Sequence, residues 1–135
     1  MTTSNLAGAW SYRAFLNDPD LERPFNDLRF ATARLDLNVQ DERVAGQLTG
    51  EGWGTWITWS LELTGALERD GFRLRGENVI ENERWVYDYA GRFAPDWPHA
   101  LEPRDVLVGS VIRTAARGRR QSAAGVHATF IAVRR

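Results

Sequence analysis

The sequence predicts an all-β fold, an eight-stranded antiparallel up-and-down barrel in which residues 1–135 form a single domain. Three observations predict it. Apolar residues recur at every second position in eight stretches, turn-forming residues separate these stretches, and no stretch has helical periodicity. A chain of 135 residues is long enough to bury one proper core. Closing the sheet would also remove the edges that so many strands otherwise expose.

Eight stretches have the alternation of a half-buried strand. They are residues 6–16, 30–39, 44–50, 55–65, 72–80, 84–93, 106–114 and 126–134. In the first, Trp10, Tyr12 and Ala14 share one face, and in the second, Leu35 and Leu37 do so. Each of these strands therefore has one face that can line an interior.

The middle strands alternate in the same way. Their shared-face residues are Val44 and Leu48 in the third strand, Trp59 and Leu61 in the fourth, Phe72 and Leu74 in the fifth, and Trp85, Tyr87 and Tyr89 in the sixth. Between the fourth and fifth strands, Asp70-Gly71 is a strong signal for a tight hairpin. Consecutive strands are therefore expected to pair with each other.

Three connections are long enough to form the mouth of a barrel. Residues 17–28 and 94–105 are rich in proline, and residues 51–55 are rich in glycine. We expect a pocket to open toward these three loops, with Trp53 and Trp97 beside it. Trp10 is expected at a closed end.

The composition excludes several classes of chemistry. The chain has no Cys and no Lys, which rules out disulfides, thiolate nucleophiles and Schiff-base lysines. A formal net charge of -1 gives no general attraction to nucleic acid or anionic membranes, and the spacing of the two histidines does not indicate a metal site. No cofactor is expected.

The sequence shows neither a signal-peptide pattern nor a membrane-spanning run, so a cytoplasmic location is expected.

Short motifs accompany this pattern. Gly8-x-Trp10 stands at the head of the first strand, and Leu-Thr-Gly occurs at residues 48–50 and 63–65. Together with the strand count, these motifs resemble the calycins, and within them the avidin and streptavidin type of barrel. The resemblance implies the fold and a subunit interface on the last two strands. It does not imply biotin binding, because Glu51-Gly52-Trp53-Gly54 replaces the aromatic residue and serine that hold biotin in that family.

Aromatic residues dominate the predicted inner face. The candidate inward set is Trp10, Tyr12, Trp59, Trp85, Tyr87 and Tyr89. An eight-stranded barrel is either filled by side chains or just wide enough for one small ligand. Glycines at positions 46, 50, 76, 91 and 109 favour a cavity, because several lie on the inward face and add no volume there. Strand coiling and bulges would explain the same glycines about as well.

Two functional hypotheses follow. In the first, the barrel binds a small, largely apolar or aromatic molecule, in contact with Tyr12, Trp53, Trp59, Tyr87 and Tyr89. In the second, the protein is a small cofactor-free enzyme, an isomerase, cyclase or hydratase acting on such a molecule, with tyrosines stabilising an oxyanion. Its candidate proton carriers, chosen because carboxylates and imidazole are common general acids and bases, are Glu51, Asp88 and His127.

Two of the proton carriers also have an ordinary structural interpretation. Asp88 would pair with an arginine on the surface, and His127 would be buried or at an interface without a catalytic role.

A basic run begins near the end of the seventh predicted strand and contains Arg113, Arg117, Arg119 and Arg120. It lacks interleaved aromatic residues and is therefore predicted to be a solvated turn and not a nucleic-acid site.

The last two strands are predicted to join subunits. Residues 106–112 are apolar on both faces, and residues 126–133 are nearly so, which would leave an exposed apolar patch on a monomer. A symmetric copy would cover it, so we expect a homodimer or homotetramer. The predicted contact residues are Val126, Ala128 and Phe130, or the alternate set His127, Thr129 and Ile131.

Overall fold

The computed structural model describes residues 3–51, 59–95, 99, 101, 104–115 and 124–135. Its elements are a 3-10 helix at Thr3–Leu6, β1 at Gly8–Leu16, a 3-10 helix at Phe25–Leu28, β2 at Arg29–Gln40, β3 at Arg43–Gly50, β4 at Ser60–Glu68, β5 at Gly71–Ile80, β6 at Glu83–Phe93, β7 at Val106–Arg113 and β8 at His127–Arg134. In these parts of the chain, no helix has the length and apolar character needed to cross a membrane.

Backbone hydrogen bonds between consecutive strands close the sheet on itself. Every strand pairs antiparallel with the next, and β1 completes the circle by pairing with β8. Tight turns join several pairs. Asp41, Glu81 and Asn82 adopt positive φ in two of these turns, as short hairpins between twisted strands require. The predicted eight-stranded antiparallel up-and-down barrel is therefore confirmed.

Most strand boundaries differ from their predictions by one or two residues, and the end of β4 differs by more. β4 does not end at Gly65 but continues to Glu68, where it pairs with the first residue of β5. The turn between the two strands therefore consists of Arg69 and Asp70. The predicted beginning of this strand, at residues 55–58, lies outside the described residues.

Side chains alternate between the interior and the outer surface along the strands. The inner faces carry the buried core, which includes Trp10, Tyr12, Leu35, Leu37, Val44, Leu48, Leu61, Leu63, Phe72, Leu74, Tyr87, Tyr89, Leu107 and Val111. These are the inward faces that the alternation predicts. The core therefore lies along the barrel axis.

The inward face of β8 corrects one predicted set of interface residues. Ala128 and Phe130 are 0% and 2% exposed because they lie inside the barrel, so they cannot contact another subunit. The alternate set, His127, Thr129 and Ile131, points outward and is exposed. A contact through this strand must use its outward residues, which include the alternate set. Val126, half-buried just before β8, stays a prediction.

Connections in an up-and-down barrel alternate between its two ends. The connections after β1, β3, β5 and β7 lie at one end, which we call the Arg113 end, and those after β2, β4 and β6 lie at the Trp10 end. The loop at residues 94–105 follows β6 and therefore belongs to the Trp10 end. The prediction that it shares a mouth with the other two long loops is wrong. Trp53 and Trp97 lie outside the described residues.

The Trp10 end is closed by the start of the chain. Trp10 is fully buried, and its indole Nε1 donates a hydrogen bond to the carbonyl oxygen of Leu6 at 3.1 Å. Leu6, the last residue of the first 3-10 helix, is itself 1% exposed. Trp10 therefore lies at a closed end, as predicted.

The outer wall of the barrel carries ion pairs on four of its eight strands. Ion pairs such as Arg75–Asp88 cover β2 and β4 to β6. Among the residues that the structure describes, no ion pair lies on the outward faces of β7 and β8. Ile112 and Ile131 are exposed there instead. We call these two outward faces the β7–β8 face.

Candidate ligand-binding site

Three aromatic rings pack against one another across the barrel. Tyr12 on β1 stacks on Phe130 on β8, with ring centres 5.4 Å apart. Tyr89 on β6 meets both rings edge to face, at 6.5 Å from Tyr12 and 6.2 Å from Phe130. An edge-to-face contact is favourable because the positive edge of one ring approaches the negative face of the other. Stacked rings are favourable when they are offset. We call these three residues the aromatic layer.

The interior beside the aromatic layer is almost completely filled. The cavity there has a volume of about 10 Å³ and an entirely apolar surface. Its walls are Tyr12, Leu35, Leu48, Leu63, Phe72, Leu74, Tyr89 and Phe130. A volume of this size holds about one water molecule. A ligand therefore cannot lie in this part of the barrel.

Inward glycines make room for aromatic rings and not for a ligand. A Cβ atom on Gly91 would lie 2.5 Å from the ring of Phe72 and 2.9 Å from that of Phe130, and one on Gly109 would lie 2.1 Å from the backbone oxygen of Ala90 and 2.7 Å from the ring of Phe130. A Cβ atom on Gly50 would collide with the indole of Trp59. The expectation that these glycines favour a cavity is therefore wrong at positions 50, 91 and 109.

Arg113 lies inside the Arg113 end of the barrel. It is 4% exposed and is the single buried charged residue in the part of the chain that the structure describes. Its Nε donates a hydrogen bond at 3.2 Å to the hydroxyl oxygen of Tyr87, its direct neighbour on β6. The prediction that Arg113 belongs to a solvated turn is therefore wrong. Arg117, Arg119 and Arg120 lie outside the described residues.

Two aromatic rings hold the guanidinium group of Arg113. Its central carbon lies 5.7 Å from the ring centre of Phe30 and 5.5 Å from that of Tyr87. The two rings themselves meet edge to face at 6.3 Å. A desolvated cation over an aromatic face gains about 2 kcal/mol. These contacts, with the hydrogen bond from Nε, restrict the orientation of the charged group.

Arg113 is the site residue that sequence reasoning missed, although a signal was present. Leu107, Val111 and Arg113 are separated by even numbers of positions, so the arginine shares the inward phase of β7. Phe30 gave no such signal. The pairing of β1 with β2 shifts register between Ala14 and Phe15, next to the start of β2, and simple alternation does not anticipate such an irregularity.

Tyr12 and Tyr89 add two hydroxyl groups to this end of the interior. Tyr12 and Tyr89 are only 3% and 7% exposed, but their hydroxyl oxygens are not fully enclosed, and neither forms a hydrogen bond with any residue that the structure describes. Burial raises the pKa of both tyrosines well above the ordinary value of 10.0, and the neighbouring phenol groups raise it further. Both side chains therefore remain neutral near pH 7 and keep a proton to donate.

The remaining predicted ligand contacts lie near the same end. Tyr87 is buried, as described above, and Trp59 is half-buried with its ring centre 6.1 Å from that of Trp85. Four of the five predicted contacts, Tyr12, Trp59, Tyr87 and Tyr89, thus lie on the inner side of the barrel. The fifth, Trp53, lies outside the described residues and stays a prediction.

The three candidate proton carriers lie on the outer surface. Their contacts are an ion pair of Glu51 with Arg135, an ion pair of Asp88 with Arg75 at 2.8 Å, and a hydrogen bond of His127 Nδ1 with the side-chain nitrogen of Asn17 at 2.7 Å. The structure does not bring them together or place them near the tyrosine hydroxyls. Within the described chain, the buried titratable groups are instead the three tyrosines and Arg113.

Comparison with known proteins adds no assignment to this site. The chain matches no protein-family model, no curated protein and no solved structure. Among the described residues, no three acidic or histidine side chains are grouped to hold a metal ion. The groups that this site offers to a ligand are therefore its tyrosines, Arg113 and the rings around them.

Proposed function

We propose that this protein binds a small, largely apolar or aromatic molecule at the Arg113 end of the barrel. The ligand would rest on the aromatic layer, since the interior beyond that layer is filled. Small buried side chains on the neighbouring strands, Ala14, Ala33 and Ala128, occupy little volume at this level. The ring of Trp59 would contribute to the wall.

The hydroxyl groups of Tyr12 and Tyr89 carry this proposal. Both belong to buried side chains, neither is bonded to a residue that the structure describes, and neither oxygen is fully enclosed. Both groups are therefore accessible to a ligand, which phenylalanine at the same positions could not bind through a hydrogen bond. A ligand that accepts hydrogen bonds from both hydroxyls gives a reason for two tyrosines at these positions.

The enzyme hypothesis has no such support. General acid–base catalysis requires the proton carrier to lie within hydrogen-bond reach of the reacting group. Glu51, Asp88 and His127 point away from the interior and contact other surface residues. Binding is therefore the function that we propose.

Native mass spectrometry of the protein purified from its source tests the proposal directly. We expect a small-molecule adduct that is lost when organic solvent unfolds the chain. The identified molecule should bind Tyr12→Phe and Tyr89→Phe about tenfold more weakly than the native protein, since each loses one buried hydrogen bond. The surface variant Ser11→Ala is the control. Undiminished affinity in both tyrosine variants would contradict a role for the hydroxyls.

We also propose that two copies associate through the β7–β8 face. Val108 and Ile131 are direct neighbours on this outward surface, and Ile112 and Ile131 are 38% and 36% exposed. A two-fold axis would bring the same apolar surface of each copy together. The avidin-type resemblance, which the closed eight-stranded barrel is consistent with, implies an interface on the same strands.

A further inference from the structure

A groove on the outer wall of the barrel lies where β8 meets its two neighbours, β1 and β7. Its volume of about 440 Å³ is within the range of about 300–1,000 Å³ that is usual for small-molecule sites. Half of its lining residues are arginines and none is acidic. The lining consists of Ser11, Arg13, Arg104, Val106, Ile131, Val133, Arg134 and Arg135. We call this site the arginine groove.

The floor of the arginine groove is mostly apolar. Ser11, Val133 and Val106 are direct neighbours across the three strands, and Ile131 lies on the same outward face. Val106 and Val133 are half-buried, and Ile131 is exposed. A molecule that lies across β8 would therefore meet apolar surface along its middle part.

Two of the four arginines have no partner for their charge. Arg134 and Arg135 form ion pairs with acidic side chains outside the groove. The side chains of Arg13 and Arg104 form no ion pair or hydrogen bond with any residue that the structure describes, and both residues are exposed. Two guanidinium groups are therefore available to a ligand in the groove.

The two available arginines stand on opposite sides of the floor. Arg13 belongs to β1 and Arg104 lies just before β7, with β8 between them. Neighbouring strands are about 5 Å apart, so the two backbones are separated by about 10 Å. A ligand with an anionic group at each end can therefore reach both side chains. The planar donors of a guanidinium group match the two oxygens of a carboxylate.

We infer that the arginine groove binds a small dicarboxylate with an apolar centre, one carboxylate bound by Arg13 and the other by Arg104. The groove lies on the outer wall, so this inference does not rest on the ligand proposed for the interior. The groove includes Ile131, which also belongs to the surface proposed for association. A second copy would therefore compete with the ligand at this residue.

A matched pair of probes tests whether the groove recognises two charges. Terephthalate and terephthalamate have the same ring and nearly the same shape, but at neutral pH the first has two negative charges and the second has one. Isothermal titration calorimetry on the native protein should show terephthalate binding about fivefold more tightly, the effect of one additional exposed ion pair. Added salt should reduce this ratio. The affinities are taken at the lowest protein concentration, where association competes least.

Single substitutions assign the preference to the two arginines. Arg13→Gln and Arg104→Gln should each bind the two probes equally, because each variant retains one available guanidinium group. Both residues are exposed, so an unchanged urea midpoint is expected. Arg43→Gln is the matched control, since Arg43 is exposed on β3, lies outside the groove and also has no partner among the described residues. It should keep the fivefold ratio.

Three results would overturn the inference. The first is equal affinity of the native protein for the two probes, and the second is binding of neither probe up to its solubility limit. The third is a preference for terephthalate that survives in Arg13→Gln or in Arg104→Gln, since that arginine would then not hold a carboxylate. Loss of the preference in both variants, with its retention in Arg43→Gln, would support the site.

Discussion

The guanidinium group of Arg134 lies over the indole of Trp10, with its central carbon 4.2 Å from the ring centre. The two residues are direct partners where β1 and β8 close the barrel. Nη1 of Arg134 donates a hydrogen bond to the carbonyl oxygen of Ala7 at 2.9 Å, and Nε donates one to Asp105 at 2.9 Å. Arg134 therefore connects the first strand, the last strand and the residue before β7.

Replacement of Arg134 by alanine should lower the free energy of unfolding by about 2 kcal/mol. The variant loses the cation–π contact, and it leaves the Ala7 carbonyl without its charged donor. Urea denaturation followed by tryptophan fluorescence measures the loss as a lower midpoint. Arg34→Ala is the matched control, because its exposed ion pair with Asp36 is expected to contribute less than about 1 kcal/mol. Equal losses in the two variants would contradict this role for Arg134.

The fold could be predicted from the sequence because its signals are local. Alternating apolar positions and short turns such as Arg69–Asp70 specify which residues face inward and which strands are neighbours. The up-and-down order then follows without any long-range information. Even the closing position of Trp10 could be predicted from the head of the first strand.

The site could be predicted only in part, because it depends on details that are not local. Strand alternation predicts that Tyr12, Tyr87 and Tyr89 face the interior. Whether their surroundings are hollow depends on how Phe72 and Phe130 fill the space beside the inward glycines, and alternation carries no information about that. Cavity volume is a property of the packed interior as a whole.

Removal of the hydroxyl groups should affect stability differently at different tyrosines. Tyr12→Phe and Tyr89→Phe should leave the ligand-free protein about as stable as the native one, because neither hydroxyl forms a hydrogen bond with a residue that the structure describes. Tyr87→Phe should be about 1–3 kcal/mol less stable, because it removes the acceptor of the hydrogen bond from Arg113.

Urea denaturation of the ligand-free variants gives these differences. Tyr87→Phe is the internal reference, since all three substitutions delete the same atom from a buried ring. A similar loss of stability in all three variants would show that the Tyr12 and Tyr89 hydroxyls contribute to folding, and would remove the reason for assigning them to a ligand.

Stability should fall steeply at alkaline pH. The pKa values of Tyr12 and Tyr89 are raised in the folded protein above 10.0 by burial. Below about pH 10 these tyrosines are protonated in both states, so their contribution is fully present. Above it the unfolded chain releases protons that the folded chain retains, and stability falls by about 1.4 kcal/mol per pH unit for each tyrosine.

Urea denaturation at a series of alkaline pH values tests this slope. The chain has no Lys or Cys, so few other groups titrate between about pH 9 and 11. In the double variant Tyr12→Phe/Tyr89→Phe, most of this fall in stability at alkaline pH should be absent. Phenolate absorbance of the folded protein reports the same ionisation. If it showed all three tyrosines ionising near the ordinary tyrosine pKa, the effect of burial on the pKa of Tyr12 and Tyr89 would be contradicted.

Disruption of the β7–β8 face should produce a monomer. Light scattering after size-exclusion chromatography at micromolar concentration should give the native protein at least twice the chain mass of 15.3 kDa. Ile131→Asp places a carboxylate at the centre of the proposed contact, where association would have to desolvate it. Its mass should be that of one chain.

Val79→Asp is the control for this experiment. Val79 is 65% exposed on β5 and lies on the strongly charged part of the wall, so the same substitution there should leave the assembly intact. Because Ile131 is itself 36% exposed, Ile131→Asp should not unfold the barrel, and an unchanged urea midpoint at low protein concentration would verify this. A native protein that is monomeric throughout the micromolar range would show that exposed isoleucines on β7 and β8 are tolerated without a second copy.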